Sequence, residues 1–276
     1  MRKNKRLIRL AVLAAMIVLA FIGLDQRMIV RKYVVESSKI DAPIRLAVLA
    51  DFHGCDYGPD GVELVQAVTE LQPDAILLVG DMFSADGDPE AELRMFRQLD
   101  SIAFTYYVTG NHEYWEHDVP QLLARIADTG VTVLDQSCVS LVVDGLRINI
   151  CGIPDPYAYV DTEVALNRAV EDIDHPAFTV LMAHRPELIE KYAATASFDL
   201  VVAGHAHGGQ VRIPFLINGL CAPNQGWFPK YAGGRYEVED TTLIVSRGLS
   251  TQRQMGVPRI FNRPELVLIE ISPDAG

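Results

Sequence analysis

Short apolar runs that end in polar residues recur along the chain. Five of them are rich in Val, Ile and Leu and end in side chains able to bind a metal; they are residues 44–53, 75–81, 104–113, 178–187 and 198–207. Runs of this length with few charges are typical of strands that are covered on both faces. The pattern therefore predicts five buried strands with polar carboxyl ends.

Helical spacing of apolar residues separates the first three runs. Residues 60–71 place Val62, Val65 and Val68 on one face, and residues 89–102 and 120–128 predict two more helices. Alternating strands and helices predict parallel crossover connections. In such sheets ligands bind beyond the carboxyl ends of the strands, so we expect the polar ends of separate runs to converge.

A second strand-rich region follows. Residues 138–153 predict a hairpin that turns at Asp144 and Gly145, and residues 235–248 and 265–272 predict further strands. The predicted fold class is α/β, with two packed mixed sheets flanked by helices in a four-layer α/β/β/α sandwich.

The N-terminal segment predicts a membrane anchor. Several Lys and Arg residues precede an uninterrupted apolar run over 10–24, which is short against the ~20 residues of a usual span. Leu7 and Ile8 extend the run if Arg9 reaches back to the interface. We therefore predict one transmembrane helix within 1–32, followed by a catalytic domain over 33–276. A cleavable signal peptide and a buried core helix are the alternatives, although the best cleavage site lies inside the apolar run.

Cations are biased toward the start of this segment. Five Lys or Arg residues precede the apolar run, and three follow it by residue 32. Cytoplasmic flanks of spans carry the excess of Lys and Arg, so the bias predicts a cytoplasmic N-terminus and an extracytoplasmic body.

Charge is unevenly distributed over the 276 residues. Residues 1–32 hold eight Lys/Arg and one acid, a net of +7, which leaves 16 Lys/Arg against 35 Asp/Glu, or −19, in the rest of the chain. A body this acidic argues against a nucleic-acid partner, since sequence-independent binding depends on clustered cations. Bound divalent metals can still attract an anionic substrate locally.

The four cysteines show no paired spacing. They are scattered without a C-x-x-C motif, and a chain of this length needs no disulfide framework. We therefore predict ordinary thiols at all four positions.

Metal-binding residue types collect at the predicted strand ends. Five of the seven histidines lie there, beside two aspartates and an asparagine, whereas purely structural histidines would be scattered. The candidate metal-binding residues at these ends are Asp51, His53, Asp81, Asn111, His112, His184, His205 and His207. His117 and His175 receive no role.

These motifs carry a family resemblance. D-x-H, G-D, G-N-H-E, a lone H and G-H-x-H, in this order, resemble the calcineurin-like metallophosphoesterase superfamily from about residue 44 to the C-terminus. The segments GHAHGGQVRIPF, APNQGWFPKY, VSRG and FNRPE are similar to its membrane-associated bacterial branch. That branch includes cell-envelope phosphoesterases and UDP-diacylglucosamine pyrophosphohydrolases.

The resemblance implies two metal sites with a shared ligand. One metal is expected on Asp51, His53, Asp81 and His207, and the other on Asp81, Asn111, His184 and His205. Imidazole and carboxylate ligands suit Mn²⁺, Fe²⁺ or Zn²⁺ better than Mg²⁺. Two such ions hold both oxygens of an in-line displacement at phosphorus and activate a water between them.

The implied function is hydrolysis of a phosphoester or pyrophosphate. His112 is expected to be a catalytic residue rather than a ligand, giving a proton or hydrogen bond to the leaving oxygen, a role worth about 10²–10⁴-fold. The expected substrate is a phosphorylated and lipid-linked molecule of the cell envelope, with no obligate protein partner. A non-catalytic metal-stapled scaffold and a general phosphodiesterase or nuclease are the alternatives.

Three further residues are candidates for substrate binding. Arg185 follows a predicted ligand and can pair with a phosphate oxygen, with a solvated surface arginine as the alternative. Trp227 and Phe228 lie in residues 210–234, a segment predicted to cover the site as a lid or else to be part of the core.

Overall fold

A computed structural model describes residues 2–83, 89–116, 118–171, 173, 176–251 and 256–274. His117 and His175 lie outside the described residues. Two six-stranded mixed sheets dominate the described part of the chain.

The first sheet contains the predicted strands of the N-terminal half. In sheet order its strands are β1 (Ile29–Ser37), β14 (Glu265–Pro273), β2 (Ile44–Leu49), β3 (Ala75–Val79), β4 (Phe104–Val108) and β5 (Thr132–Val133). Strands β2 to β5 are parallel, whereas β14 is antiparallel to β2 and parallel to β1. The parallel strands bring the carboxyl ends of β2, β3 and β4 to one edge.

The second sheet has a similar plan. In sheet order its strands are β12 (Gly234–Val238), β13 (Thr241–Val245), β9 (Leu200–Ala203), β8 (Phe178–Met182), β7 (Leu146–Gly152) and β6 (Ser137–Val143). The four inner strands are parallel and the two edge strands antiparallel to their neighbours. A separate two-stranded ribbon joins β10 (Cys221–Ala222) to β11 (Gly226–Trp227).

Helices cover the outer faces of the two sheets. The described helices that do so are α2 (Val62–Leu71), α3 (Glu90–Asp100), α5 (Val119–Ala127), α6 (Thr162–Val170) and α7 (Ile189–Ala193), whereas α1 (Arg2–Gly23) and α4 (Asn111–Glu116) belong to neither layer. An apolar cluster that includes Leu46 and Ile150 fills the space between the sheets. Two further clusters pack α2, α3 and α5 on the first sheet and α6 and α7 on the second. The predicted α/β class, with two mixed sheets flanked by helices, is confirmed.

Helix α1 forms where the membrane anchor was predicted. Its apolar side chains are exposed, including Phe21 at 77% of its surface, and its last residue accepts a hydrogen bond from the backbone of Phe261. Among the residues that the structure describes, however, no helix combines the length and the apolar character needed to cross a bilayer. The transmembrane part of the prediction is not supported, and attachment to a membrane stays a prediction.

A disulfide corrects the prediction of four free thiols. Cys138 and Cys151 face each other across the β6–β7 pair and are bonded, while Cys55 and Cys221 are free. The cause is the register of the hairpin, which turns at Asp144 and Gly145 as predicted and thereby places the two thiols opposite each other.

Candidate metal centre

The loops that follow the carboxyl ends of five strands converge in one place. Asp51 and His53 follow β2, Asp81 follows β3, Asn111 follows β4, His184 follows β8, and His205 and His207 follow β9. All seven side chains are buried. The convergence predicted from the sequence is therefore present, and it draws on both sheets.

Two groups of ligand atoms form within this set. Asp51, His53, Asp81 and His207 form one group, and Asp81, His184 and His205 form the other. Within each group, one ligand atom per residue lies within 4.8 Å of the others. Asp81 belongs to both groups, so its carboxylate lies between two potential ion positions. Asn111 is also buried, and the backbone N–H of the next residue, His112, donates to Oδ1 of Asp81 at 2.9 Å.

The backbone of these residues adopts an unusual conformation. Five of the seven residues have a positive φ: Asp51 at 51°, His53 at 49°, Asp81 at 53°, His205 at 66° and His207 at 47°. Non-glycine residues avoid this region, and residues held in such sparsely populated conformations cost on the order of 1–3 kcal/mol each. The fold tolerates this backbone strain at five residues of one cluster, which is typical of a functional site.

Two glycines allow the loops to come close together. Gly80 has a φ of 77°, and a Cβ there would lie 2.6 Å from the backbone nitrogen of Gly110 and from Nδ1 of His184. A Cβ on Gly110 would overlap the carboxylate of Asp81. A side chain at either position would therefore push the ligand residues apart.

Hydrogen bonds orient the side chains that face the site. The carboxylate of Asp51 accepts the backbone N–H of His205 at 2.9 and 3.0 Å. Nδ1 of His184 lies 2.8 Å from the carbonyl oxygen of Val79, and Nε2 of His205 lies 2.9 Å from Oδ1 of Asn224. Each acceptor oxygen fixes the tautomer of its imidazole and leaves the other ring nitrogen for a metal.

Glu113 has a structural role that sequence reasoning missed. Its fully buried carboxylate accepts the backbone N–H groups of Asp81 at 3.0 Å, Met82 at 2.9 Å and Gly110 at 2.6 Å. It thereby joins the loop after β3 to the loop after β4. The signal was its place in the G-N-H-E motif, where only the asparagine and the histidine received roles.

Burial sets the protonation of most of these groups. It lowers the pKa of His53 to about 4 and that of His205 to about 3, so both imidazoles are neutral at pH 7, as metal coordination requires. Burial also raises the pKa of Asp51 to about 7, with the charge of Asp81 adding to the effect. Burial also lowers the pKa of His184, but the neighbouring carboxylate of Asp81 outweighs burial and raises this pKa to about 10.

Buried polar atoms without hydrogen-bond partners indicate whether metal ions fit this cluster. Among the described residues, Nδ1 of His207 and Oδ1 of Asn111 are buried and have no hydrogen-bond partner. Leaving such an atom unsatisfied costs about 1–3 kcal/mol, and a cation would satisfy both. Together with the shared carboxylate of Asp81, these atoms make the cluster suited to binding two divalent metal ions.

Comparisons with known proteins agree with this geometry. Residues 44–209 match the family described as "Calcineurin-like phosphoesterase". The chain belongs to the calcineurin-like phosphoesterase family. The match includes all seven candidate ligands and ends two residues after His207.

Family relatives cover most of the chain. A Helicobacter pylori protein named "Uncharacterized metallophosphoesterase" is 31% identical over 242 residues, covering 85% of this chain and 61% of that protein. A Bos taurus "Transmembrane protein with metallophosphoesterase domain" is 30% identical over 251 residues, covering 83% of this chain and 54% of that protein. The chain thus spans about half to three fifths of the length of these relatives.

A solved structure supports the fold of the family. The Haemophilus influenzae NAD nucleotidase has a TM-score of 0.51 and 13% identity, and the match covers 79% of this chain and 49% of that one.

His112 lies at the rim of the metal cluster. Its backbone N–H donates to Oδ1 of Asp81 at 2.9 Å, and its ring centroid lies 4.4 Å from that of His53 and 4.8 Å from that of Trp115. It belongs to neither group of ligand atoms. The half-buried ring is therefore beside the site without being part of the ligand set.

The three candidate substrate residues differ in their surroundings. Arg185 is buried and donates through Nε and Nη2 to Asp155 at 2.6 and 3.1 Å, so the alternative of a solvated surface arginine is wrong. Trp227 and Phe228 are each 66% exposed, so they are not part of the core. The ribbon that carries them is tied to the site by the contact between Asn224 and His205.

Proposed function

We propose that this chain hydrolyses phosphoester or phosphoanhydride bonds with two divalent metal ions. The supporting observation is the pair of ligand groups that share the buried carboxylate of Asp81. In this proposal one ion is held by Asp51, His53, Asp81 and His207, and the other by Asp81, Asn111, His184 and His205. Bound divalent ions supply Lewis-acid chemistry, by activating water and neutralising phosphate charge.

Two residues outside the ligand set, His112 and Glu113, have further roles in this proposal. The backbone of His112 is held on Asp81, which keeps its imidazole beside the metal groups but outside them. From there it would give a proton or a hydrogen bond to the leaving oxygen. Glu113 keeps the loops of Asp81 and Asn111 in register through its three backbone hydrogen bonds.

Metal-dependent hydrolysis tests the proposal. The full chain is stripped with a chelator, reloaded with Mn²⁺, Fe²⁺, Zn²⁺ or Mg²⁺, and assayed on a panel of mono-, di- and pyrophosphate esters. Asp81→Ala should lose bound metal and activity together because it removes a ligand of both ions, whereas the exposed Asp41→Ala should change neither. Two tightly bound metals and normal turnover in Asp81→Ala would refute the assignment. Bound metals without hydrolysis of any substrate would instead favour the non-catalytic scaffold.

We further propose an amphiphilic substrate that the enzyme meets at a membrane surface. Exposed apolar side chains along α1, such as Phe21, and the exposed pair Trp227 and Phe228 support this idea. Aromatic side chains with a neighbouring cation, here Lys230, suit the depth of lipid headgroups. A lipid-linked phosphate or pyrophosphate would place its phosphate on the metals and its apolar part against the aromatic pair.

The test compares a lipid-linked pyrophosphate with a small chromogenic ester. Trp227→Ala/Phe228→Ala should lose activity on the lipid substrate alone. Phe104→Ala is the matched control, since Phe104 is similarly exposed but lies at the amino end of β4, away from the metal loops. Equal loss on both substrates, with a lower melting temperature, would show that the pair has only a structural role.

Location of the body outside the cytoplasm is part of the same proposal. The disulfide Cys138–Cys151 supports it, because disulfides persist in oxidising compartments and are rare in the cytosol. Trapping the thiols of the cellular protein with a maleimide reagent should label two of its four cysteines; labelling of all four would contradict the proposed location.

A further inference from the structure

An aromatic wall lies directly beside His112. It consists of Trp115 and Tyr157, whose ring centroids are 5.2 Å apart in an edge-on arrangement. Trp115 in turn lies 4.8 Å from the ring of His112, with both residues on α4. Trp115 is 54% exposed and Tyr157 is 39% exposed, so the wall offers a large apolar surface next to the metal cluster.

Buried charges hold this wall in place. Tyr157 lies in a short 3₁₀ turn whose preceding residue, Asp155, accepts its backbone N–H at 2.9 Å. The same carboxylate binds Arg185, and the guanidinium of Arg185 lies 5.5 Å from the centre of the Tyr157 ring. This contact is a cation–π interaction. The buried ion pair of Asp155 and Arg185 therefore holds the ring of Tyr157 in position.

A second connection joins the wall to the ligand loops. The backbone N–H of Asp155 donates to Oγ1 of Thr109 at 3.2 Å, and Thr109 lies two residues before Asn111. The wall is thus held to the loop that carries Asn111 and His112. A surface fixed in advance loses little entropy when it binds a ligand.

The position of the wall determines what it can contact. In the proposed reaction the oxygen of water bonds to phosphorus, and the bond from phosphorus to the leaving oxygen breaks. His112 gives that oxygen a proton, regains one from solvent, and the water releases its own. The leaving group must therefore extend outward from His112, and Trp115 is in contact with that ring. Exposed aromatic faces bind flat rings by stacking.

We propose that Trp115 and Tyr157 form a leaving-group subsite for phosphoesters whose leaving group carries a flat aromatic ring, such as a nucleoside or an aryl alcohol. The inference rests on the proposed function, because it uses the role of His112 at the leaving oxygen. Arg185 is a positioning residue in this subsite, since it acts through Asp155 and Tyr157.

Substrate preference is the first test. The full metal-loaded chain is assayed on uridine 5′-phosphate, p-nitrophenyl phosphate, glucose 1-phosphate and glycerol 3-phosphate. In Trp115→Leu and Tyr157→Leu the ratio of kcat/KM for the first two substrates to that for glycerol 3-phosphate should fall about tenfold, mainly through KM, since the stacking contact with the flat ring is lost. Trp115→Phe should restore most of the ratio. Tyr159→Leu, an exposed tyrosine of the same segment, should keep it.

Fluorescence provides a second test that needs no turnover. The chain has two tryptophans, so Trp227→Phe leaves Trp115 as the sole reporter. Titration of that variant with uridine 5′-phosphate should quench the emission, and titration with glycerol 3-phosphate should not. Metal content and melting temperature of each variant are measured alongside.

The outcomes separate this inference from the proposed function. An unchanged substrate ratio in both variants, or a glucose 1-phosphate effect as large as the uridine effect, would overturn the flat-ring subsite. An equal loss on all four substrates would mean that the wall only supports His112, which also overturns it. If the wild-type chain hydrolyses nothing with any metal, the proposed function fails, and the quenching experiment alone decides whether Trp115 binds the ring.

Discussion

Asn224 accepts a hydrogen bond from the ring of His205, with Oδ1 and Nε2 separated by 2.9 Å. The bond places the proton on Nε2 and leaves the lone pair of Nδ1 for a metal ion. Asn224 lies in the turn of the β10–β11 ribbon, so a segment outside both main sheets orients a candidate ligand.

Loss of this bond should weaken metal binding. Asn224→Ala leaves the imidazole of His205 free to rotate, and loss of such a partner typically costs about 10–100-fold in affinity or activity. We expect one of the two metals to bind that much more weakly in a titration of the stripped protein. Asn167→Ala, an exposed asparagine on α6, is the control. Equal affinity in the two variants would show that Asn224 does not orient the ligand.

Replacement of His112 should separate catalysis from metal binding. His112→Ala removes an imidazole that lies beside the ligand groups and outside them, so both metals should remain while kcat falls about 10²–10⁴-fold. Elemental analysis and steady-state kinetics on the same sample provide the measurement. Metal content that falls in step with activity would mean that His112 is a ligand.

Glu113→Gln should destabilise the joined loops. The amide keeps one acceptor oxygen but turns an N–H₂ group toward backbone donors, so at least one charge-assisted hydrogen bond is lost at a buried position. We expect the free energy of unfolding to fall by about 2 kcal/mol or more, together with metal affinity. Glu36→Gln, at an exposed position of β1, should leave both unchanged. Chemical denaturation with and without metal distinguishes a local effect from a global one.

Removal of the disulfide should lower stability without touching the site. Cys138 and Cys151 are 13 residues apart, and closing a loop of that size is worth ~3 kcal/mol in the chain-entropy description. Cys138→Ala/Cys151→Ala should therefore show a reduced free energy of unfolding, and a reductant should shift the wild type but not the variant. Cys55→Ala controls for loss of a thiol. Identical unfolding curves for wild type and double variant would contradict the bond.

Truncation locates the start of the catalytic domain. The predicted boundary after Lys32 falls inside β1, whose residues 29–32 pair with 265–268 of β14. A chain lacking residues 1–23 should therefore keep its melting temperature and activity, while one lacking residues 1–32 should melt at a lower temperature. If both truncations melt alike, the first part of β1 adds nothing to the fold. Aggregation of the chain that lacks residues 1–23 would show that α1 packs on the domain.

Burial explains which elements could be predicted. Strands β2, β3, β4, β8 and β9 are covered on both faces, so their uninterrupted apolar runs identified them. Strand β1 alternates exposed and half-buried residues at the sheet edge, and it was missed. The ligands could be found because their motifs are local in sequence. Asn224 could not, because its bond to His205 joins residues 19 positions apart through the folding of a separate ribbon.

The disulfide could have been predicted from information already present. A two-residue turn at Asp144 and Gly145 pairs Val143 with Leu146, and counting outward along both strands places Cys138 opposite Cys151. The predicted turn was correct. The spacing of the cysteines alone gave no sign of a disulfide, whereas the strand register set by the turn pairs them. The role of Glu113 needed three-dimensional information, since its partners come from two different loops.

The place of β14 between β1 and β2 has a consequence for synthesis. The ribosome makes residues 265–273 after every other strand described here, yet this strand forms an inner position of the first sheet. Until it emerges, one edge of β2 and the whole of β1 lack their partner. The nascent chain therefore carries an open apolar sheet edge until residues 265–273 have been made, and edges of this kind promote aggregation. A stalled or prematurely terminated chain would be a substrate for chaperones or proteases even though every candidate metal ligand has already been made.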